Sequence, residues 1–284
     1  RDHLDYHGTL DLYRDAKLGL CRLLKPAGTA VVNADDSAWS DVRQRAERTL
    51  SFGIESQADV VARNVVLGSM GSRFSCEYES ARVRVELPLL GGFNVQNALA
   101  ATAAVLSLGM TLEEAAAQLA RVPQVLGRLE RIASTPCPVL RDYAHTPDAL
   151  QRALAALRPL TAGRLIVVFG AGGDRDRGKR PLMAAAAQQG ADLAIVTSDN
   201  PRTEDPEAIL DEIVAGMTTD SYTRIADRRA AIAHALELGR RDDVILLAGK
   251  GHENYQILGT RKYPFDERVV VRELLGREAA GAEP

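Results

Sequence analysis

Long apolar runs, paired cysteines and a strong net charge are all missing from this sequence of 284 residues. No apolar run approaches the roughly 18 residues that a membrane-spanning helix needs. Cys21, Cys76 and Cys137 are far apart and form no CxxC pair, so neither a zinc site nor a disulfide framework is indicated. A net charge of -3 gives no sign of nucleic-acid or membrane binding. No signal peptide is visible either, and we expect a cytoplasmic monomer whose partners are small molecules.

The length of the chain is sufficient for two domains, each with its own core. We place the boundary after Arg128, where a new alternation of strands and helices begins, which gives domains at 1–128 and 129–284. The chain opens at Arg1 without an initiator methionine, and we expect it to be a piece of a longer protein.

Short apolar segments alternate with helical patterns throughout the second half. Four of them are predicted strands: Val139–Arg141, Arg164–Phe169, Leu193–Thr197 and Val244–Ala248. The predicted helices between them include Pro181–Gln189, Glu207–Met217 and Ala230–Leu238. Buried strands alternating with helices predict a Rossmann-like, doubly wound α/β domain with a parallel sheet.

A polar loop, Ser198–Glu204, follows the third of these strands. Ligands of open α/β sheets bind at the carboxyl ends of the strands. Asp199, Asn200 and Arg202 offer a carboxylate, an amide and a guanidinium, a set that suits a zwitterionic amino acid better than a nucleotide. Taken alone, the loop is better explained as an ordinary polar turn before a helix.

Two glycine-rich turns follow the neighbouring strands: residues 170–173 follow the second predicted strand, and residues 248–253 follow the fourth. The first continues into Arg175, Arg177 and Lys179, which would suit ligand carboxylates. Residues 173–179 also fit the phosphate-loop frame G-x-x-x-x-G-K, but the next residue is Arg180 instead of Ser or Thr, so we regard this match as chance. In the second turn Glu253 offers a carboxylate to an ammonium group, although a turn without a ligand is the alternative.

The first half begins with a predicted helix over Thr9–Leu24. Its apolar side is formed by Leu10, Tyr13, Leu20 and Leu24, with Lys17 in the middle. A lysine there must reach solvent, pair with an anion or lose its charge. A lowered pKa would permit carbamylation, which would make Lys17 an oxygen ligand for Mg²⁺. His3 precedes this helix and is either solvated or a metal ligand.

The rest of the first half is predicted to mix strands and helices. We expect a strand at Thr29–Asn33, an antiparallel ribbon within Ala58–Leu87, and helices at Ala98–Leu108 and Thr111–Leu119, the last with a capping box. Asn94 and Asn97 precede the first of these helices and would be explained as caps alone.

Taken together and in order, seven segments resemble the Mur ligase family. They are Arg1–Gly8 (RDHLDYHG), Phe93–Asn97 (FNVQN), Gly127–Glu130 (GRLE), Asp142–Asp148 (DYAHTPD), Gly172–Asp176 (GGDRD), Asp199–Arg202 (DNPR) and Gly249–Glu253 (GKGHE). The resemblance covers nearly the whole chain. It implies that 1–128 is the C-terminal part of a central ATP-binding domain and that 129–284 is an amino-acid-binding domain.

The resemblance also implies a reaction. ATP phosphorylates the D-glutamate carboxylate of UDP-N-acetylmuramoyl-L-Ala-D-Glu, and the amine of meso-diaminopimelate attacks the acyl phosphate. Lys17 is implied as the carbamylated lysine and His3 as a Mg²⁺ ligand. The implied ATP contacts are Asn97, Arg128, Asp142 and His145, and the implied diaminopimelate contacts are Arg175, Asp199, Asn200, Arg202, Gly249 and Glu253. Within this set, Arg202 of the DNPR motif implies diaminopimelate instead of lysine.

The family's phosphate-binding loop and UDP-binding domain would lie upstream of Arg1, so we expect this chain alone to be inactive. A lysine-adding relative, a folylpolyglutamate synthase and an amino-acid-binding module without catalysis remain alternatives. A nicotinamide-dependent dehydrogenase is disfavoured, because residues 170–173 lack the full dinucleotide fingerprint.

Overall fold

The alternating apolar segments build two separate sheets in the computed structural model, which describes residues 8–68 and 71–281. The chain divides into two compact units, Arg1–Pro123 and Gln124–Pro284. The predicted boundary after Arg128 lies five residues beyond this division and stays a prediction.

The first unit contains a mixed five-stranded sheet with the order β1-β2-β3-β4-β5. Its strands are β1 (Thr29–Asn33), β2 (Arg48–Gly53), β3 (Val60–Gly68), β4 (Gly71–Tyr78) and β5 (Ala81–Leu87). Its helices are α1 (Leu10–Leu18), α2 (Val42–Arg45), α3 (Gly92–Ser107) and α4 (Leu112–Leu119), with 3₁₀ segments at Gly19–Leu23 and Ser37–Trp39. The first three strands are parallel and the last three antiparallel, as the predicted ribbon requires. Helices α3 and α4 cover the sheet, with Val95 and Leu99 fully buried.

Helix α1 corrects the predicted apolar stripe of the first half. The α-helix ends at Leu18, and a 3₁₀ segment continues to Leu23. The buried residue of α1 is Leu18, which packs with Val32 and Val42, so the side of α1 that meets the unit is not the predicted stripe. Leu10 and Leu20 are 61% and 67% exposed, and Lys17 is exposed as well. The premise of a lysine within a buried stripe was therefore wrong.

Helix α3 corrects a second expectation. It begins at Gly92, six residues earlier than predicted, and its N-cap Gly91 makes no side-chain cap. Asn94 instead donates through Nδ2 to the carbonyl oxygen of Leu90 at 2.8 Å, and Asn97 donates to Asn94 Oδ1 at 3.2 Å. The asparagines thus lie within the first two turns and cap nothing. The capping box between Thr111 and Glu114 is confirmed at α4.

The second unit contains a six-stranded sheet with the order β10-β9-β8-β11-β7-β6. Its strands are β6 (Glu130–Ala133), β7 (Val139–Asp142), β8 (Leu165–Phe169), β9 (Leu193–Val196), β10 (Tyr222–Arg224) and β11 (Val244–Ala248). A separate hairpin is formed by β12 (Tyr255–Leu258) and β13 (Arg261–Pro264). The helices are α5 (Pro147–Leu157), α6 (Lys179–Gly190), α7 (Pro206–Val214), α8 (Arg228–Leu238) and α9 (Glu267–Gly281), with a 3₁₀ segment at Arg158–Leu160.

The parallel, doubly wound architecture predicted for the second half is confirmed. All neighbouring strands of its main sheet are parallel except β6 and β7. Alternate residues of β8 and β11, such as Ile166 and Ile245, pack in one core with α8 and α9. All five residues of both strands are buried, since helices cover each face. The chain winds outward from β8 to β10 and then returns to insert β11 between β8 and β7, so the carboxyl ends of β9, β8, β11 and β7 adjoin one another.

Candidate functional site

The predicted polar loops do meet at one edge of the second sheet. The loop after β8 and the DNPR loop after β9 touch closely, because Gly172 and Gly173 leave room for them. A Cβ atom at Gly173 would lie only 1.9 Å from the carbonyl oxygen of Pro201. The amide of Gly173 donates to the carbonyl of Asn200 at 2.9 Å. Glycine at this position is therefore a requirement of the contact between the two loops.

Arg202 and Arg175 both approach Gly172. A Cβ built on Gly172 would lie 2.8 Å from Arg202 Nη1 and 3.7 Å from Arg175 Cγ. Arg202 donates to the carbonyl oxygen of Gly173 at 2.7 Å, and Arg175 to that of Asp174 at 2.9 Å. Each guanidinium retains further N–H donors, so the pair can take up carboxylate groups.

Arg202 has a left-handed backbone, with φ of 52°. This conformation is costly for a residue with a side chain and persists only where the surroundings enforce it. Here the hairpin enforces it, since the Arg202 amide donates to Ile257 at 3.1 Å and the Gly259 amide donates to Arg202 at 2.8 Å. This hairpin was not among the predicted elements, although Gly259 in a two-residue turn between short strands was the available signal.

Lys250 joins the DNPR loop to the GKGHE turn. Its side chain is 0% exposed, and its ammonium lies 3.3 Å from Asp199 Oδ1, 3.1 Å from Asn200 Oδ1 and 3.3 Å from Glu253 Oε2. Asn200 also donates to Glu253 Oε2 at 2.9 Å. Three predicted site residues are thus brought together by a lysine that sequence reasoning did not single out. A lysine between two glycines directly after a buried strand was the available signal.

Two buried arginines hold the loops from the helix side. Arg180 is fully buried and donates to both oxygens of Glu204, to Glu212 and to the carbonyl of Gly172. The hydrogen bonds from Arg180 lower the pKa of Glu204 to about 2. Arg228 is also fully buried, forms an ion pair with Glu267 at 2.7 Å, and donates to the carbonyl oxygens that follow β9 and end β11.

Gly249 and Lys179 complete this edge. The Gly249 backbone has φ of 114°, and its amide donates to the carbonyl of Asp142 at 3.0 Å, so this N–H already has a protein partner. Lys179 donates to the carbonyl of His145 at 3.0 Å. Burial lowers the pKa of Lys179, and the charges of Asp199 and Asp176 oppose that change.

The residues predicted to contact ATP in this unit form an aromatic and cationic cluster. The Arg128 guanidinium lies 5.3 Å from the centre of the Tyr143 ring, which packs edge-on to His145 at 4.6 Å. His252 of the GKGHE turn lies 5.4 Å from the same ring. Planar groups of this kind suit stacking with a base.

Asp142 holds the backbone that carries this cluster. Its two carboxylate oxygens accept from the amides of Leu129 at 2.7 Å and Ala144 at 2.9 Å. Burial raises the pKa of Asp142, while these hydrogen bonds lower it. Asp142 thereby fixes the backbone directly after Arg128 and directly before His145.

In the first unit, Lys17 lines a cavity of about 540 Å³ together with Asn33 and Trp39. Its ammonium lies 4.6 Å from the ring centre of Tyr13 and 5.8 Å from that of Trp39. Asn97 is exposed on α3. The predicted metal ligand His3 lies outside the described residues. Within 8–68 and 71–281, no group of three or more His, Cys, Asp or Glu side chains is placed to hold a metal ion.

No helix within the described part of the chain is both long and apolar enough to cross a membrane. Fold and geometry together define an α/β protein of two compact units, with charged side chains gathered at the edge of a mostly parallel sheet in the second unit.

Comparison with known protein families matches this description. The Mur ligase middle domain matches residues 1–105, and the glutamate ligase domain of Mur ligases matches residues 127–251. The chain belongs to the Mur ligase family.

Two relatives and one solved structure that are similar to this chain share one protein name. It is 45% identical over 280 residues to a UDP-N-acetylmuramoyl-L-alanyl-D-glutamate–2,6-diaminopimelate ligase of Gloeobacter violaceus, with 98% of this chain and 57% of that protein covered. It is 41% identical over 279 residues to a protein of the same name, numbered 1, in Clostridium acetobutylicum, covering 97% and 57%. A solved structure of a ligase of this name is 38% identical, with a TM-score of 0.69, covering 98% of this chain and 59% of that one. The chain therefore spans somewhat more than half the length of these relatives.

Proposed function

We propose that this chain is part of an ATP-dependent, ADP-forming ligase that adds meso-diaminopimelate to the D-glutamate of UDP-N-acetylmuramoyl-L-Ala-D-Glu in peptidoglycan precursor synthesis. The observation that carries the proposal is the meeting of Asp199, Asn200, Arg202 and Glu253 at one sheet edge. The names of relatives 40–45% identical to this chain support the same substrates.

The amino-acid site has the chemistry of a diacid with amino groups. Glu253 and Asp199 supply carboxylate oxygens for an ammonium group, while Arg202 and Arg175 supply guanidinium donors for carboxylates. Meso-diaminopimelate differs from lysine by a second carboxylate. A guanidinium near Gly172 gives that carboxylate a partner, which lysine would leave unused.

The nucleotide is assigned to the aromatic cluster. Arg128 and His145 would contact ATP directly, and Asp142 would hold their backbone in place through its two amide contacts. Asn97, in the first unit, is likewise proposed as an ATP contact. Lys179, half-buried beside His145, adds positive charge on the side where phosphate groups would develop charge.

Magnesium is proposed as the ion that accompanies ATP, with the Lys17 carbamate and His3 among its ligands. When bound, it would offset phosphate charge. The described residues do not offer a ready-made metal site, and the Lys17 ammonium lies over two aromatic rings. The proposed enzyme is a cytoplasmic monomer.

The chemistry requires activation of the D-glutamate carboxylate before amide formation. A carboxylate does not react with an amine at neutral pH, whereas an acyl phosphate does, with phosphate leaving as the C–N bond forms. The acceptor is an ammonium near neutral pH, and it must first release a proton to solvent water so that the neutral amine can attack. The carboxylates of Glu253 and Asp199 would bind an ammonium group of the amino acid and so hold the amino acid in the site.

A ligation assay with the complete protein that contains this chain tests the proposal. ATP, Mg²⁺ and UDP-N-acetylmuramoyl-L-Ala-D-Glu are supplied with either meso-diaminopimelate or L-lysine, and ADP and the tripeptide product are measured. We expect product with diaminopimelate and little with lysine. Preference for lysine, or turnover with a pteroyl substrate instead, would contradict the proposal.

A further inference from the structure

Lys250 has no role in the proposed chemistry, yet it is the most completely enclosed group of the amino-acid site. An ammonium carries three N–H donors and no acceptor, and burial without partners is costly. Here each donor has an acceptor within 3.1–3.3 Å, contributed by Asp199, Asn200 and Glu253. The lysine therefore contacts both sequence motifs of the site at once.

The Asn200 amide is oriented by this contact. Its Oδ1 accepts from Lys250 Nζ and also from the amide of Ile257 at 2.9 Å. Both partners are obligate donors, so the oxygen and not the nitrogen must face them. The Nδ2 group consequently faces Glu253, to which it gives one of its two N–H bonds. The second N–H is left for a ligand.

The two carboxylates are divided in the same way. Glu253 Oε2 accepts from Lys250 and Asn200, and Asp199 Oδ1 accepts from Lys250. Among the described residues, Glu253 Oε1 and Asp199 Oδ2 have no hydrogen-bond partner. The three side chains thus present two negatively charged acceptors and one amide donor. This set matches the ammonium and the carboxylate of an amino-acid centre.

We propose that Lys250 is a positioning residue: it determines which atom each of Asp199, Asn200 and Glu253 presents, and thereby fits the site to an α-amino-acid centre. The identity of the ligand rests on the proposed function, whereas the positioning itself does not. Lys250 touches no substrate in this account and acts only through the three side chains.

The positioning is tested first without ligand, by amide hydrogen exchange of this 284-residue chain. In Lys250→Met the Asn200 oxygen loses its second donor, and we expect the Ile257 amide to exchange at least about 10-fold faster. Val167 and Leu246, buried in central strands, serve as internal references. Lys262→Met is the matched control. Lys262 is an exposed lysine on the same hairpin as Ile257, and its ammonium lies 4.1 Å from the ring centre of Tyr255.

Two outcomes of that experiment overturn the proposal. One is an unchanged rate at Ile257 in Lys250→Met. The other is an equal increase at Ile257, Val167 and Leu246, which would make Lys250 a general stability element. A selective increase at Ile257, absent from Lys262→Met, supports it.

The second test uses turnover of the complete protein. Lys250→Met should raise the KM for meso-diaminopimelate by about 30-fold or more, since charge-assisted hydrogen bonds are lost. The KM for ATP and the kcat should stay near those of the unsubstituted protein. A parallel fall in kcat with no selective change in KM would contradict a positioning role.

Asn200→Asp provides a variant that does not depend on removal of the lysine. Its carboxylate can still accept from Lys250 and Ile257, so the protection of Ile257 should persist, but the N–H offered to the ligand is gone. We expect weaker binding of meso-diaminopimelate, and unchanged binding would overturn the orientation. Should the unsubstituted protein not use meso-diaminopimelate, the proposed function fails, while exchange at Ile257 still decides the role of Lys250.

Discussion

In the unit of residues 124–284, three fully buried cations contact the loops of the proposed amino-acid site, whereas the proposed catalytic lysine of the unit of residues 1–123 is exposed on a short helix. Each of the three, Arg180, Arg228 and Lys250, contacts two segments that lie at the ends of two different strands. Lys17, by contrast, contacts two aromatic rings.

This difference separates two ways of holding functional groups. The proposed amino-acid site is organised by charges that would be costly to bury unless all their partners were in place, so the site forms only as the whole unit folds. Lys17 is exposed, so its charge needs no buried partner for the unit to fold. Substitutions in the two units should therefore affect stability and activity in different proportions.

The largest effect on stability is expected from Arg228→Met. The change leaves Glu267, itself 0% exposed, as an unpaired buried charge, which typically costs about 3–5 kcal/mol. Urea unfolding of the chain would measure the free energy of unfolding. Arg229→Met is the control, because the neighbouring pair of Arg229 with Glu273 is partly exposed, and we expect a loss below about 1 kcal/mol. Equal losses in the free energy of unfolding for both variants would contradict the claim that the buried pair matters more than the partly exposed one.

A smaller effect is expected from Gly173→Ala. The added methyl group meets the carbonyl of Pro201, so the DNPR loop must move, at a cost of about 1–3 kcal/mol. The KM for meso-diaminopimelate should rise together with this loss of stability. At Gly276, within helix α9, an added Cβ meets nothing within 4 Å, so Gly276→Ala should not destabilise the chain and should leave the KM unchanged. A Gly173→Ala protein with normal KM would show that close contact between the loops is not required.

Glu204→Gln should reveal a dependence on pH. Arg180 holds the pKa of Glu204 at about 2, below its ordinary value of 4.5. A carboxyl group with a lowered pKa stabilises the fold fully above its unfolded pKa and loses that contribution as the pH falls towards 2. The difference in Tm between the unsubstituted chain and Glu204→Gln should be constant from pH 6 to 8 and should shrink between about pH 4.5 and 2. A difference independent of pH would contradict the pairing.

The smallest effect on stability is expected from Lys17→Met. An exposed lysine contributes little to folding, so the free energy of unfolding should change by less than about 0.5 kcal/mol. Turnover of the complete protein should nevertheless be lost if Lys17 supports catalysis as proposed. Lys25→Met, which changes another exposed lysine of the same unit, should retain turnover. Retained turnover in Lys17→Met would contradict the proposed catalytic role of Lys17.

The sheet of the second unit and the meeting of its loops followed from local pattern. Buried parallel strands are readable as apolar segments, and their carboxyl ends necessarily share one edge. The buried cations were not readable in this way. Lys250 and Asp199 are 51 residues apart in sequence, and Arg228 and Glu267 are 39 apart, so their pairing depends on tertiary structure. The error at α1 arose in a similar way, because helical periodicity shows which residues share a face of a helix but not which face another element covers.

The specificity of the site for a diacid is the central claim, and Arg202 is the residue that tests it. The measurement is the ratio of kcat/KM for meso-diaminopimelate to that for L-lysine, determined with the complete protein and with its Arg202→Met variant. We expect the unsubstituted protein to favour diaminopimelate by about 100-fold or more, and the variant to lose most of that preference. A ratio left unchanged by Arg202→Met would contradict the account.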